Sequence, residues 1–190
     1  GKTADGAVWL DPEKTTPYEF YQFWFNQDDR DVDKYLKYFT FLSQDEIKEL
    51  AEKTEKEPHK REAQRVLAEE MTRFVHGQEA LDEAIKISEA LFSGNVQDLS
   101  AAQIEMSFKD VPSMEATAKD TDLVTFLVDE TKISPSRRQA REDIQNGAIY
   151  LKGERIQDTH YVVSEKDSYE GRFILVRRGK KRYFMVHLID

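Results

Sequence analysis

Residues 134–156, SPSRRQAREDIQNGAIYLKGERI, hold the densest local chemistry in the chain. A helix from Ser136 to Asn146 places Arg138, Arg141 and Gln145 at i, i+3 and i+7 on one face and turns Ala140 and Ile144 toward a core. Gly147 stands where a left-handed cap is needed, and a strand then delivers Lys152 beside Gly153. Guanidinium forks and an ammonium over one surface can reach phosphate oxygens. The same pattern also describes a solvated helix face paired with Glu142 and Asp143.

A second cluster is Arg177-Arg178-Gly179-Lys180-Lys181-Arg182, in which five of six residues are cationic. It sits at a predicted hairpin tip with nothing acidic inside it. A phosphate backbone would relieve the repulsion; lysines guarding an exposed sheet edge are the alternative. Ten of the 21 aromatic residues fall within residues 18–41, from Tyr18 to Phe41. Such a stripe predicts core packing, with base stacking as the minority use. The acids that follow, Asp28, Asp29, Asp31 and Asp33, suit helix-terminus electrostatics, although a carboxylate also accepts hydrogen bonds from a base edge.

These groups need a scaffold. Residues 1–16 read as a loop. Thr16-Pro17 opens a helix, Ser43 with Glu46 opens another as a capping box, and Pro58 closes it. Apolar stripes at Val32, Tyr35, Leu36, Phe39, Leu42, then Ala63 to Val75, then Leu81 to Phe92 predict amphipathic helices, with a short last one over Ser100–Phe108. Residues 110–120 have no period and predict a linker. Helices over Leu123–Asp129 and Ser136–Asn146 are followed by β-like runs at Ala148–Leu151, Tyr161–Val163, Arg172–Val176 and Tyr183–Ile189. The expected fold is a mainly α-helical bundle followed by a small α+β module of roughly 70 residues.

The chain has 190 residues, 39% hydrophobic and 34% charged, with a formal net charge of −9 and no cysteine. Disulfides, zinc–thiolate sites and thiol catalysis are excluded. No apolar run exceeds four residues, too short for a membrane span or a signal-peptide core; a cytoplasmic location is expected. Residues 1–120 hold 15 Lys and Arg against 26 Asp and Glu, a net of −11, and residues 121–190 hold 13 against 11, a net of +2. Only the second part is net positive, and its basic residues are bunched. His59, His76, His160 and His187 lack metal-ligand spacing, the glycines form no phosphate loop, and no Ser/His/Asp order marks a nucleophile. The opening GKTADG lacks methionine and predicts a fragment.

The chain resembles the C-terminal part of bacterial tyrosyl-tRNA synthetase. The resemblance rests on GKTADGAVWLDPEKTTPYEFYQFWFN (1–26), DVDKYLKYFTFLS (31–43), KREAQRVLAEEMTRFVHG (60–77), SRRQAREDIQNGAIYLKGERI and VRRGKKRYFMVHLI, in that order. It implies that residues 1–16 contain the tail of a KMSKS-type loop, with Lys2 and Thr3 as catalytic remnants inactive alone. It implies a helical anticodon-binding domain over 17–109, the linker, and an alpha-L RNA-binding domain over 121–190. Arg137, Arg138, Arg141, Gln145, Lys152, Arg177, Arg178, Lys180, Lys181 and Arg182 then face tRNA, and Asp28 reads the first anticodon base. The parent enzyme, a homodimer, activates tyrosine with ATP and magnesium and transfers it to tRNA(Tyr). The stretch in hand is expected to be monomeric, to need no cofactor, and to recognise the anticodon region and variable arm. The alternative is a protein-interaction module built on the acidic bundle.

Overall fold

A computed structural model describes residues 2, 3 and 6–190, with side chains described from Ala7 onward. Two compact units result, Gly1–Glu89 and Ala90–Asp190.

The first unit opens with a two-stranded pairing of β1 (Lys2–Thr3) and β2 (Gly6–Ala7). Helices α1 (Pro17–Phe25), α2 (Asp29–Phe39), α3 (Gln44–Lys56) and α4 (Glu62–His76) follow, and α5 (Gln78–Ser93) carries the chain across the boundary. Their starts are fixed locally. Thr16 accepts from the Glu19 amide at 3.2 Å while Glu19 answers at the Thr16 amide, and Ser43 accepts from the Glu46 amide at 3.1 Å. Pro58 cannot continue α3, which ends at Lys56. Phe20, Val32, Leu36, Ile47, Leu50, Ala63, Leu67 and Met71 form the main core. Against the expectation of a buried aromatic stripe, Tyr38 is 74% exposed, because α2 turns its Val32/Leu36 side inward, and Phe41, in the connection after α2, is 89% exposed.

His76, at the end of α4, packs edge-on against Phe20 with ring centroids 4.9 Å apart, and its Nε2 is buried with no partner. Burial lowers its pKa below the ordinary imidazole value. The neutral ring is the folded form, so its contribution is intact above the unfolded pKa near 6.5 and is lost as pH falls through the depressed folded value. Urea unfolding of the first unit at pH 7.5 and pH 5 is expected to show the loss, and His76→Phe should flatten it.

The second unit has three layers. Its sheet runs β3 (Ser113–Ala116), β9 (Arg182–Leu188), β8 (Phe173–Arg178), β5 (Ile149–Leu151), β6 (Glu154–Arg155), with β3 parallel to β9 and the rest antiparallel. A separate pair joins β4 (Thr121–Asp122) to β7 (Val162–Val163). One sheet face, bearing Ile149, Leu151, Ile174, Val176, Phe184 and Val186, packs on α7 (Leu123–Thr125), the π-helical turn Phe126–Glu130 and α8 (Arg137–Gln145). The other face, bearing Phe173, Leu175 and Met185, meets residues that flank α6 (Ala101–Ser107). Phe108 lies 4.6 Å from Tyr183 between ring centroids, and the Tyr169 hydroxyl donates to the Val96 carbonyl at 3.0 Å.

Two expectations are corrected here. Ser113–Ala116, placed in a linker, is an edge strand; its short, mostly exposed run gives no apolar period to read. Ser100–Phe108, grouped with the helical bundle, belongs to the second unit, where Phe108 lies against Tyr183 of the sheet.

Candidate nucleic-acid interface

Helix α8 starts at Ser136, whose hydroxyl accepts from the Gln139 amide at 3.1 Å. Ala140 and Ile144 are fully buried, so Arg138, Arg141 and Gln145 are left on the solvent side. Arg138 is 90% exposed and meets Glu142 at 3.3 Å, a contact worth little at such exposure. Arg141 has no ion-pair partner among the described residues. After α8, Gly147 takes φ +73° and turns the chain into β5.

Strands β8 and β9 are joined by Gly179, Lys180 and Lys181, with Arg178 opposite Arg182. Lys180, Lys181 and Arg182 are exposed and lack acidic partners among the described residues. The two arginines that end β8 part company, since successive strand residues point to opposite faces. Arg178 turns toward α8. Its Nε donates to Asp143 at 2.8 Å and its Nη1 to the Ile133 carbonyl at 3.1 Å, and the two side chains are 19% and 13% exposed. Arg177 turns to the other sheet face, with its guanidinium carbon 3.7 Å from the Tyr150 ring centroid.

Three expected RNA-facing residues are therefore engaged within the protein. Arg178 is neutralised by Asp143. Arg137 meets Asp129 and Thr125 in a pair that is about half exposed. Lys152, at φ +52°, donates to the Ser168 carbonyl at 3.2 Å and lies 4.8 Å over the Tyr169 ring. Of the predicted cations, Arg141, Lys180, Lys181 and Arg182 have no acidic partner among the described residues, Arg138 is loosely held, and Arg177 lies on the Tyr150 ring. The pattern also concealed Tyr150, Arg155 and Tyr183, which become neighbours of Arg177 only through strand register.

In the first unit, Asp28 caps α2, accepting from the Arg30 amide at 2.8 Å, and its carboxylate is gripped by the Arg30 Nε and Nη2, both at 3.0 Å. The Arg30 hydrogen bonds hold its pKa at about 2, well below the usual carboxylate range. The loop carrying it is clamped. Arg61 Nη2 donates to the carbonyls of Phe25 and Gln27 at 2.8 and 2.9 Å, and the buried Gln64 donates to Asp29 at 2.6 Å. The Lys2 and Thr3 side chains lie outside the described residues. Among the described residues, no three His, Asp or Glu side chains are grouped to hold a metal, and no helix is long and apolar enough to cross a membrane.

Comparison with known proteins now bears on this arrangement. Residues 103–186 match the model of the tyrosine–tRNA ligase SYY-like C-terminal domain, and residues 1–93 match that of the class I tRNA synthetases (W and Y). The chain belongs to the tyrosyl-tRNA synthetase family. It is 66% identical over 186 residues to tyrosine–tRNA ligase 1 of Bacillus cereus and 62% identical over 188 residues to tyrosine–tRNA ligase of Lactobacillus johnsonii, covering 98% and 99% of its own length. It spans 44% of the length of each of those relatives. A solution structure of a tyrosyl-tRNA synthetase C-terminal domain is 51% identical, covering 50% of this chain and 94% of that one, with a TM-score of 0.42. The synthetase-family models end and begin at residues 93 and 103, so the second match starts inside α6. Phe108, which caps that helix, lies against Tyr183 of the sheet.

Proposed function

We propose that this chain is the tRNA-binding C-terminal part of a tyrosine–tRNA ligase, with its second unit as the main phosphate-gripping module. The observation that carries this reading is the group Arg141, Lys180, Lys181 and Arg182, exposed and without counter-charge among the described residues, in a unit of the matched family. Each supplies charge that a polyanion neutralises with release of counterions. The helical unit is acidic overall and offers local contacts instead. In it, the clamped loop presents Asp28 toward the anticodon region, while the second unit holds the variable arm. Activation of tyrosine by ATP with magnesium, and its transfer to tRNA(Tyr), belong to the part of the relatives that this chain does not match. In this reading the stretch itself is monomeric, the full enzyme is a cytoplasmic homodimer, and Lys2 and Thr3 are remnants of a catalytic loop.

The test is a titration of tRNA(Tyr) across a salt series. Lys180→Gln with Lys181→Gln is expected to lower the slope of log K against log salt by roughly 1.4–1.8, at about 0.7–0.9 per phosphate contact. An unchanged slope removes the hairpin from the interface. A second reading, a protein-docking face on the helical unit, is favoured by the exposed Phe41 and Phe74, whose ring centroids lie 5.9 Å apart. Association that survives RNase, together with no tRNA binding at low salt, selects it.

A further inference from the structure

The sheet face opposite α8, which residues 94–108 cover in part, carries a cluster that the interface above does not use; Arg155 in it is exposed, and Tyr150, Arg177 and Tyr183 are half-buried. Arg155 on β6 pairs with Tyr150 on β5, Tyr150 pairs with Arg177 on β8, and Arg177 pairs with Tyr183 on β9. Direct cross-strand partners share a face, so four strands present guanidinium and phenol in alternation. The Arg177 guanidinium carbon lies 3.7 Å from the Tyr150 ring centroid and 6.0 Å from that of Tyr183. From the other side, Arg155 donates to the Tyr150 oxygen through Nε at 3.0 Å and Nη2 at 2.6 Å.

Two glycines give this row its space. A Cβ on Gly94 would lie 2.8 Å from Arg177 Nη1, and one on Gly147 would lie 3.2 Å from Arg155 Cδ. The charges are uncompensated. Arg137, Arg138, Arg172 and Arg178 each meet a carboxylate, whereas among the described residues neither Arg155 nor Arg177 has an ion-pair partner. Arg177 Nε is buried with no hydrogen-bond partner. Two cations converging on one phenol repel each other, and an anion brought to that point relieves both. The phenol itself registers the field: hydrogen bonds from Arg155, with Arg177 adding to them, pull its pKa below the ordinary value.

We propose that Arg155, Arg177 and the Tyr150 hydroxyl form a second phosphodiester-binding site for RNA, on the sheet face opposite α8. It rests on the tRNA-binding reading and extends the contact to another side of the same unit. The Tyr150 oxygen accepts from Arg155, which leaves its own hydrogen to donate to a phosphate oxygen, and the two guanidinium groups supply the charge.

The test titrates tRNA(Tyr) into the whole chain over a salt series. Arg155 is exposed on a two-residue edge strand, so Arg155→Gln spares the core. It is expected to weaken binding about five- to eightfold at 0.1 M salt and lower the slope by about 0.7–0.9. Tyr150→Phe, which keeps the ring, is expected to weaken binding severalfold with the slope unchanged. If both variants bind as the unaltered chain does while Lys180→Gln with Lys181→Gln is weakened, the second site is overturned and the tRNA reading stands. If that lysine variant is also unchanged, both fall together. Phenylglyoxal modification of Arg155 in the unaltered chain gives an independent reading. Protection by tRNA(Tyr) supports the site, and equal labelling with and without it overturns it.

Discussion

Replacing Arg141, Lys180, Lys181 and Arg182 together by Gln is expected to lower tRNA affinity at 0.1 M salt by about three orders of magnitude. Each lost phosphate contact removes roughly 0.7–0.9 from the salt slope, a factor of about 5–8 for each tenfold change in salt, and four such factors multiply to about 10³. The slope itself should fall by about 3. None of the four has an acidic partner among the described residues, so thermal unfolding should move by no more than about 0.5 kcal/mol, the range of ordinary surface changes. A loss of less than tenfold, with an intact fold, would place the nucleic acid elsewhere on the molecule.

Arg178→Ala should produce the largest loss of stability. It removes the counter-charge of the Asp143 carboxylate, 13% exposed, which keeps only the Gln139 side-chain amide at 2.9 Å, and leaves the Ile133 carbonyl without its donor. Breaking a fully buried pair from one side costs about 3–5 kcal/mol, mainly through the charge left behind; with both side chains partly exposed and Gln139 still on the acid, the loss here should lie near or below about 3 kcal/mol, against a total of about 5–15 kcal/mol for a domain. Urea unfolding followed by near-ultraviolet circular dichroism of the second unit measures it. The double variant Arg178→Met with Asp143→Leu should recover most of the loss, because the desolvation penalty goes with the charges. A single variant as stable as the unaltered chain would mean that the pair opens to water.

The helices were legible wherever a local device fixed them. Thr16 with Glu19, Ser43 and Ser136 each cap a helix through hydrogen bonds that span only three residues. Four strands of the second unit, β5, β7, β8 and β9, were legible as apolar runs, while the two-residue β4 and β6 were not, and the shift in charge marked where cations gather. What escaped depended on distant partners. Arg177 and Arg178 look equivalent as neighbours, yet strand alternation sends one to a phenol and the other to a carboxylate. Ser113–Ala116 gains its identity from Met185 to Leu188, far along the chain. Tyr38 and Phe41 belong to an aromatic run whose density predicts burial, but Tyr38 lies off the inward side of its helix and Phe41 in the connection after it. The row from Arg155 to Tyr183 exists only once the register of four strands is known.

The parallel pairing of Ser113 with Met185 also orders events during synthesis. The strand from Arg182 to Leu188 occupies an interior place between β3 and β8, so a nascent chain emerging from the ribosome holds the earlier strand with one flank empty until the last of these residues is made. Closing so long a loop is entropically slow. Stalled or prematurely terminated chains should therefore expose an unpaired edge and be the species that proteases and chaperones meet.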